Sequence, residues 1–319
     1  MKKVLASILA AGALVGCASG PKETVRLNAA GATFPAPLYN SWFQTLAQQG
    51  GPQVNYQAVG SGSGVRQFNA GTTDFGASDK AVKDGNERPV VQIPMTGGAI
   101  VPAYNNPGCD LRVTQTELAD IFLGNITTWE EVGCDGGTIT VVYRSDGSGT
   151  TAGFTASLSA FSPEWAENVG SGKAVAWPVG IGGKGNSGVA AQIRQLPGSI
   201  GYLNYGYVNG GEFQQATIQN RDGNFVQANA ETSAAGLSQI VLDDQLRGSD
   251  PNPAGANSYP IVSLTWVLAH PEHEKNDTMK EVFTYMLSDE AQGVSDSLGY
   301  VPLPESIREQ AREVVETLT

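Results

Sequence analysis

The chain has 319 residues, with 19 Lys and Arg against 31 Asp and Glu, a formal net charge of −12 and 16% charged residues. That length suffices for one large or two medium domains. The acidic balance excludes the basic patches a nucleic-acid partner needs, and 40 glycines without a period read as many turns, not a collagenous repeat.

The N-terminus reads as a targeting segment. Lys2 and Lys3 form a basic n-region, and the apolar run from Val4 to Gly16 is too short to span a bilayer as a helix. It ends in Leu14-Val15-Gly16-Cys17, which resembles the lipobox of bacterial lipoproteins. That motif places cleavage after residue 16 and a lipid on the Cys17 sulfur, with 17–23 as a tether. The alternative is a plain secretory signal with Cys17 incidental.

Further along, strand-like and helix-like stretches alternate. Ala30 to Pro37 precedes a helix carrying Leu38, Trp42, Phe43 and Leu46, with Thr33 as its expected N-cap and Pro35 in its first turn. Val54 to Val59 predicts a strand. Gly60-Ser61-Gly62-Ser63-Gly64 then opens a short helix with Val65 and Phe68. Thr73 to Asp79 reads as a short strand ending in a polar turn. Val90 to Ile93 is expected to lead to a turn, and Gly98 to Tyr104 to form a long central strand. Thr114 to Leu123 is helical in pattern. Thr138 to Tyr143 predicts a strand running into Arg144 and the turn Asp146-Gly147-Ser148-Gly149-Thr150, followed by a helix with Phe154, Leu158 and Phe161. Ser187 to Leu196 predicts a helix, Ile200 to Leu203 a strand, and Pro260 to Ala269 a strong strand. Amphipathic helices over Thr278 to Leu287 and Pro304 to Leu318 close the chain. This alternation predicts an α/β fold with mostly parallel sheets. The apolar strands near 98–104 and 260–269 are natural hinge crossings between two lobes.

Three helix starts share one chemistry. The first N–H groups of a helix lack partners within it, and the macrodipole adds positive character there. At the turn after Tyr143, Gly147 and Gly149 let a ligand approach the backbone, and Ser148, Thr150 and Thr151 add hydroxyls. Arg144 adds a guanidinium whose fork fits an oxyanion. This is an anion cradle, or else a Gly-rich turn with an Asp cap. The starts at Thr33 and Ser61 repeat the logic, and the three together predict convergence on one anion. A carrier of this net charge must hold its anion by short-range hydrogen bonds, because its overall field repels it.

With Cys17 lipidated, Cys109 and Cys134 form the one remaining pair. Both sit in turn-like contexts, and in an exported protein they predict a disulfide. The two histidines, His270 and His273, stand in His-Pro-Glu-His among charged residues and read as solvated surface, with no metal site. Gly180-Ile181-Gly182-Gly183-Lys184-Gly185 fits G-x-G-x-x-G, but Pro178 spoils a central strand before it and no acidic residue stands at the ribose spacing. It reads as a loop, not a dinucleotide site.

The runs AAGATFPAPLY, YQAVGSGSGVRQ, TDFGASD, YRSDGSGTT and WPVGIGGKGNSGVAAQIRQLPGSIGY resemble the phosphate-binding proteins of bacterial ABC-type phosphate transporters, over nearly all the chain after residue 24. The resemblance implies a two-lobed periplasmic-binding-protein fold, each lobe a mostly parallel sheet flanked by helices and joined by two hinge strands. Lobe I would be 24–101 plus 262–319, and lobe II 102–261, after a signal peptide at 1–16. It implies a lipid-anchored, monomeric extracytoplasmic receptor that binds inorganic phosphate without a cofactor and delivers it to the transmembrane subunits of an ABC permease. Carried over, Thr33, Phe34 (through its N–H) and Ser61 donate from one lobe, with Ser63 a substitute for Ser61. Arg144, Ser148, Gly149 and Thr150 donate from the other. Asp146 orients Arg144, and Asp79 accepts the proton phosphate carries. The rival readings are a phosphate-ester-handling enzyme, for which no activated nucleophile or metal cluster is evident, a binder of another oxyanion, and a structural lipoprotein.

Overall fold

A computed structural model describes residues 25–83 and 85–319, so the signal segment, Cys17 and the tether lie outside the described residues. β1 (Arg26–Gly31) bends into α1 (Ala36–Gln48), whose Leu38, Tyr39, Trp42, Phe43 and Leu46 are buried at helical spacing. The N-cap residue is Pro35, not Thr33, and no side chain caps the helix. Two residues on from Thr33 stands a proline, with no N–H for its hydroxyl to cap. β2 (Gln53–Ala58) follows, and α2 (Ser61–Asn69) starts after Gly60, whose φ of 90° favours glycine. Next come β3 (Phe75–Ser78) and β4 (Val91–Asn105), a single 15-residue strand.

The turn expected after Ile93 does not form, and Pro94 lies within β4. The middle of the chain gives β5 (Arg112–Val113), α3 (Gln115–Leu123, with a Thr114–Glu117 capping box), β6 (Thr140–Arg144), α4 (Gly149–Phe161) and α5 (Pro163–Asn168). The expected loop over 180–185 is instead a short strand, β7 (Ile181–Gly183), running into α6 (Gly185–Gln195). Pro178 ends before the strand begins, and β7 pairs only with β6, at the sheet's edge. β8 (Ser199–Asn204), the short β9 (Gln214–Gln215), β10 (Thr217–Gln219) and β11 (Phe225–Val226), and α7 (Ala230–Leu237) follow. The chain ends through β12 (Val262–Ala269), α8 (Asn276–Met286), α9 (Asp289–Gly293) and α10 (Glu305–Glu316).

The main sheet runs β2-β1-β3-β12-β4-β8-β6-β7, with β9 also on β4. The outer pairings, β1 with β2 and β3 and β6 with β7 and β8, are parallel, whereas β12 and β4 run antiparallel to their neighbours. β4 joins two halves. Residues 91–99 pair with β12, and from Ile100 on it pairs with β8. The register with β12 shifts so that Thr265 faces Thr96 and Trp266 faces Pro94, leaving Met95 as an extra residue. Pro94 has no N–H to give a ladder, and the bulge absorbs the mismatch. Aromatic clusters fill each half: Tyr39, Phe43, Tyr56, Phe75 and Phe283 in the first, Phe122, Phe154, Trp177 and Tyr202 in the second.

His270 is buried, against expectation, at 4% exposure. Its ring stacks on Phe68 with centroids 4.1 Å apart, and Nδ1 lies 2.9 Å from the Pro89 carbonyl. The local sequence is polar, but the end of β12 carries this residue into the small cluster of Phe68, Val82 and Leu268. Cys109 and Cys134, 25 residues apart, form the expected disulfide. It clips the segment carrying α3 and the buried Trp129, whose indole N–H donates to the Gly198 carbonyl at 3.0 Å. A Cys109→Ala/Cys134→Ala protein should lose about 3 kcal/mol, read as a lower urea midpoint, with a slope no smaller than wild type because the freed loop lets the unfolded chain expand.

Candidate functional site

In open α/β sheets the crevice outside the carboxyl ends of the parallel strands collects ligand-binding loops. Here the loops leaving β1, β2, β3, β6 and β7 meet there. Ser61, the first residue of α2, contacts Asp79, just past β3: its hydroxyl lies 3.4 Å from Asp79 Oδ2, and the Asp79 N–H donates to Ser61 Oγ at 3.2 Å. Thr150, from the first turn of α4, donates to the same Oδ2 at 3.3 Å, and Thr265 on β12 donates to Oδ1 at 2.9 Å. Ser63, the alternative to Ser61, has its Oγ accepting from Arg66 Nη2 at 2.8 Å. Gly149 lies so close that a Cβ there would stand 2.6 Å from both Asp79 Cβ and Ser61 Oγ. The two halves also touch directly, Gly62 N–H donating to the Gly147 carbonyl at 2.8 Å.

Arg144, 4% exposed at the end of β6, is held by Asp146 two residues on. Nε and Nη2 reach the two carboxylate oxygens at 2.8 and 2.7 Å. That edge of the guanidinium is therefore taken, and Nη1 is the group that points toward Thr150 Oγ1, at 3.5 Å. Burial alone would raise the Asp146 carboxyl. The hydrogen bond and charge of Arg144, with the Gly185 N–H, hold it below the usual carboxylate range. Ser148 caps α4, its hydroxyl accepting from Thr151 N–H at 3.0 Å, while its own N–H goes to the Lys173 carbonyl. Among the described residues no acceptor is bonded to the N–H groups of Phe34, Ser61, Gly149 or Thr150. At Ser61, Gly149 and Thr150 this is the consequence of a helix start.

Several contributors carry no local signal in the sequence. Three tyrosine hydroxyls take up the carbonyls of the β1–α1 bend: Tyr56 bonds Ala32 at 2.6 Å, Tyr207 bonds Thr33 at 2.7 Å and Tyr300 bonds Phe34 at 2.7 Å. With the carbonyls tied down, the Phe34 N–H is left facing elsewhere. Asn186 on α6 donates from Nδ2 to Thr33 Oγ1 at 2.8 Å and to Thr150 Oγ1 at 3.3 Å. Lys173 is half-buried with its charge acting on Asp79, and burial lowers its ammonium while the carboxylate works the other way.

Burial pushes the Asp79 carboxyl up to about 6, against the pull of Thr265, Arg144, Thr150 and Lys173. The sign of the stability effect follows. The unfolded chain releases this proton near 3.8, earlier than the folded one, so stability should fall as pH rises from about 4 to 6 and then level. The full cost above pH 6, roughly 3 kcal/mol, follows from about two pKa units. Asp79→Asn should therefore be more stable than wild type at pH 8 and no more stable at pH 4, measured by urea unfolding of ligand-free protein.

Residues 18–290 match the model of the PBP superfamily domain. The chain is 39% identical to the phosphate-binding protein PstS of Pasteurella multocida, over 88% of this chain and 87% of that one. Among solved structures, a phosphate-binding protein from Stenotrophomonas maltophilia superposes with a TM-score of 0.69 at 19% identity, covering 91% of this chain and 94% of that one. An ABC-type phosphate transport receptor from Vibrio cholerae does so with a TM-score of 0.58 at 18% identity, covering 87% of this chain and 100% of that one. These two establish the periplasmic-binding fold, and the sequence match establishes the kinship: the chain belongs to the PBP superfamily and, within it, to the family of the phosphate-binding proteins PstS.

Proposed function

We propose that this protein is an extracytoplasmic receptor that closes on inorganic phosphate and delivers it to an ABC-type phosphate permease. One observation carries the reading. Helix starts from both halves and a buried arginine meet around a single buried carboxylate, Asp79. Hydrogen-bond donors alone would suit any oxyanion. Donors around an acceptor suit an oxyanion that still bears a proton. In this reading Thr33, Phe34, Ser61, Arg144, Ser148, Gly149 and Thr150 donate, Asp146 holds Arg144, and Asp79 accepts from the P–OH group.

The first lobe is 24–101 with 262–319 and the second 102–261. The exchange of β4's partner between Ala99 and Ile100 supports that division. Cys17 anchors a monomer to the membrane through its lipid, which mass spectrometry of the intact protein tests. The protein binds and does not turn over. Phosphate-ester assays with and without divalent cations test for catalysis. The binding reading is tested by titration calorimetry with phosphate, and by mass spectrometry of ligand released on mild denaturation. No heat with phosphate from ligand-stripped protein, and no co-purified phosphate, would overturn it.

A further inference from the structure

Asn186 is wholly buried in the first turn of α6. Its Oδ1 accepts from the Asn204 N–H at 3.0 Å, which fixes which way the amide points: the oxygen faces β8 and the NH2 faces the cleft. That NH2 reaches Thr33 Oγ1 and Thr150 Oγ1, and the Asn186 backbone N–H adds a second bond to Thr33 Oγ1 at 3.1 Å. A hydroxyl has two acceptor sites and one proton. At Thr33 both acceptor sites are filled by N–H groups of Asn186, so the proton is directed outward. The hydroxyl can then only donate, and no described residue receives that proton. At Thr150 the oxygen accepts from Asn186 and Arg144 and gives its proton toward Asp79.

Thr33 belongs to the first half of the molecule, Asn186 and Thr150 to the second. We propose that Asn186 is a closure latch: its amide reaches Thr33 only when the halves close, and in doing so it sets the Thr33 hydroxyl as a donor to the bound anion. Closing the cleft and aiming that donor are then one event. The inference rests on the phosphate-binding reading above and makes Asn186 a positioning residue, not a ligand.

The test is stopped-flow and calorimetric phosphate binding to Asn186→Ala, Asn186→Asp, Thr33→Val and the Thr33→Val double variants. Asn186→Ala should weaken binding about 10- to 100-fold through faster dissociation, with association within about threefold of wild type. Asn186→Asp keeps the acceptor for Asn204 N–H, and with it the seating of α6. It replaces the NH2 by an oxygen that draws the hydroxyl protons to itself, so it should be at least about tenfold worse than Asn186→Ala. In the Thr33→Val background most of the Asn186→Ala effect should vanish, because residues acting as a unit are not additive. A merely structural role would give the same fold-loss in both backgrounds, and that result, or an Asn186→Asp protein binding as well as Asn186→Ala, overturns the latch. If wild type binds no phosphate, the functional reading itself falls; if it binds and the coupling is absent, the latch alone falls.

Discussion

Asp79→Asn should admit sulfate. Near neutral pH phosphate keeps at least one proton and sulfate keeps none. In the proposed site an ionised Asp79 would accept a hydrogen bond from P–OH, whereas sulfate would set an unprotonated oxygen against the carboxylate. Sites built around such a matched group reject the wrong ligand by roughly 10⁴-fold, because a buried acceptor left unmatched is costly. With asparagine the amide NH2 can donate to sulfate, and selectivity should shrink to about tenfold or less by this argument. Arsenate, which shares the proton, should compete with phosphate in wild type far better than sulfate does. The carboxyl titrates at about 6 in the ligand-free protein. Below that pH a protonated Asp79 can itself donate, and sulfate should compete progressively better. Competition binding of the three anions at pH 5 and pH 8 reads both effects. Sulfate displacing phosphate as well as arsenate does at pH 8 would remove Asp79 from the discrimination.

Arg144→Ala should fail twice, and the two failures are separable. Loss of a charge-assisted donor costs about 1.5–3 kcal/mol of binding, ten- to a hundredfold or more in affinity. The partner left behind is the second cost. Asp146 is only 11% exposed at its side chain, and stranding a buried carboxylate destabilises by about 3–5 kcal/mol. Removing both partners in Arg144→Ala/Asp146→Ala should recover much of the stability and none of the affinity. Arg144→Lys should recover part of the affinity, since an ammonium has charge but cannot engage two carboxylate oxygens of Asp146 and still present an edge to the anion. Calorimetry for binding and urea titration for stability distinguish the two losses. Unchanged phosphate affinity in Arg144→Ala would exclude Arg144 from the site.

What the sequence made legible was local. Ser61 and Gly149 begin helices because a strand, a glycine and a hydroxyl residue precede a helical apolar pattern, all within about ten residues of each other. Cys109 and Cys134 pair as their compartment and number suggested. The rest depended on distant partners. Asn186 meets Thr33 across 153 residues, and Tyr300 meets Phe34 across 266, so neither role has a local pattern. β7 is three residues long, too short to show a period of two, and the glycines around it read as loop. Val90 to Ile93 predicts a turn after it, but the chain continues as β4 through Pro94, which sits beside a bulge that tolerates its missing N–H. His270 reads as solvated because charged residues follow it in the sequence, while in space its ring stacks on Phe68, far from it in the chain.

The strand order also dictates a timetable for synthesis. β3 and β4 are not neighbours in the sheet, because β12 lies between them and bonds to both. The half that begins the chain therefore cannot complete its sheet until residues 262–269 have emerged, after the whole of the second half. The second half has no such gap, since β6, β7 and β8 lie within some 65 residues of one another. Contacts that bridge long stretches of chain form late, so during export the middle of the protein matures first and the apolar edges of β3 and β4 wait for their partner. A nascent chain stopped short of Val262 should be held by chaperones through those edges, and one stopped past Ala269 should be released.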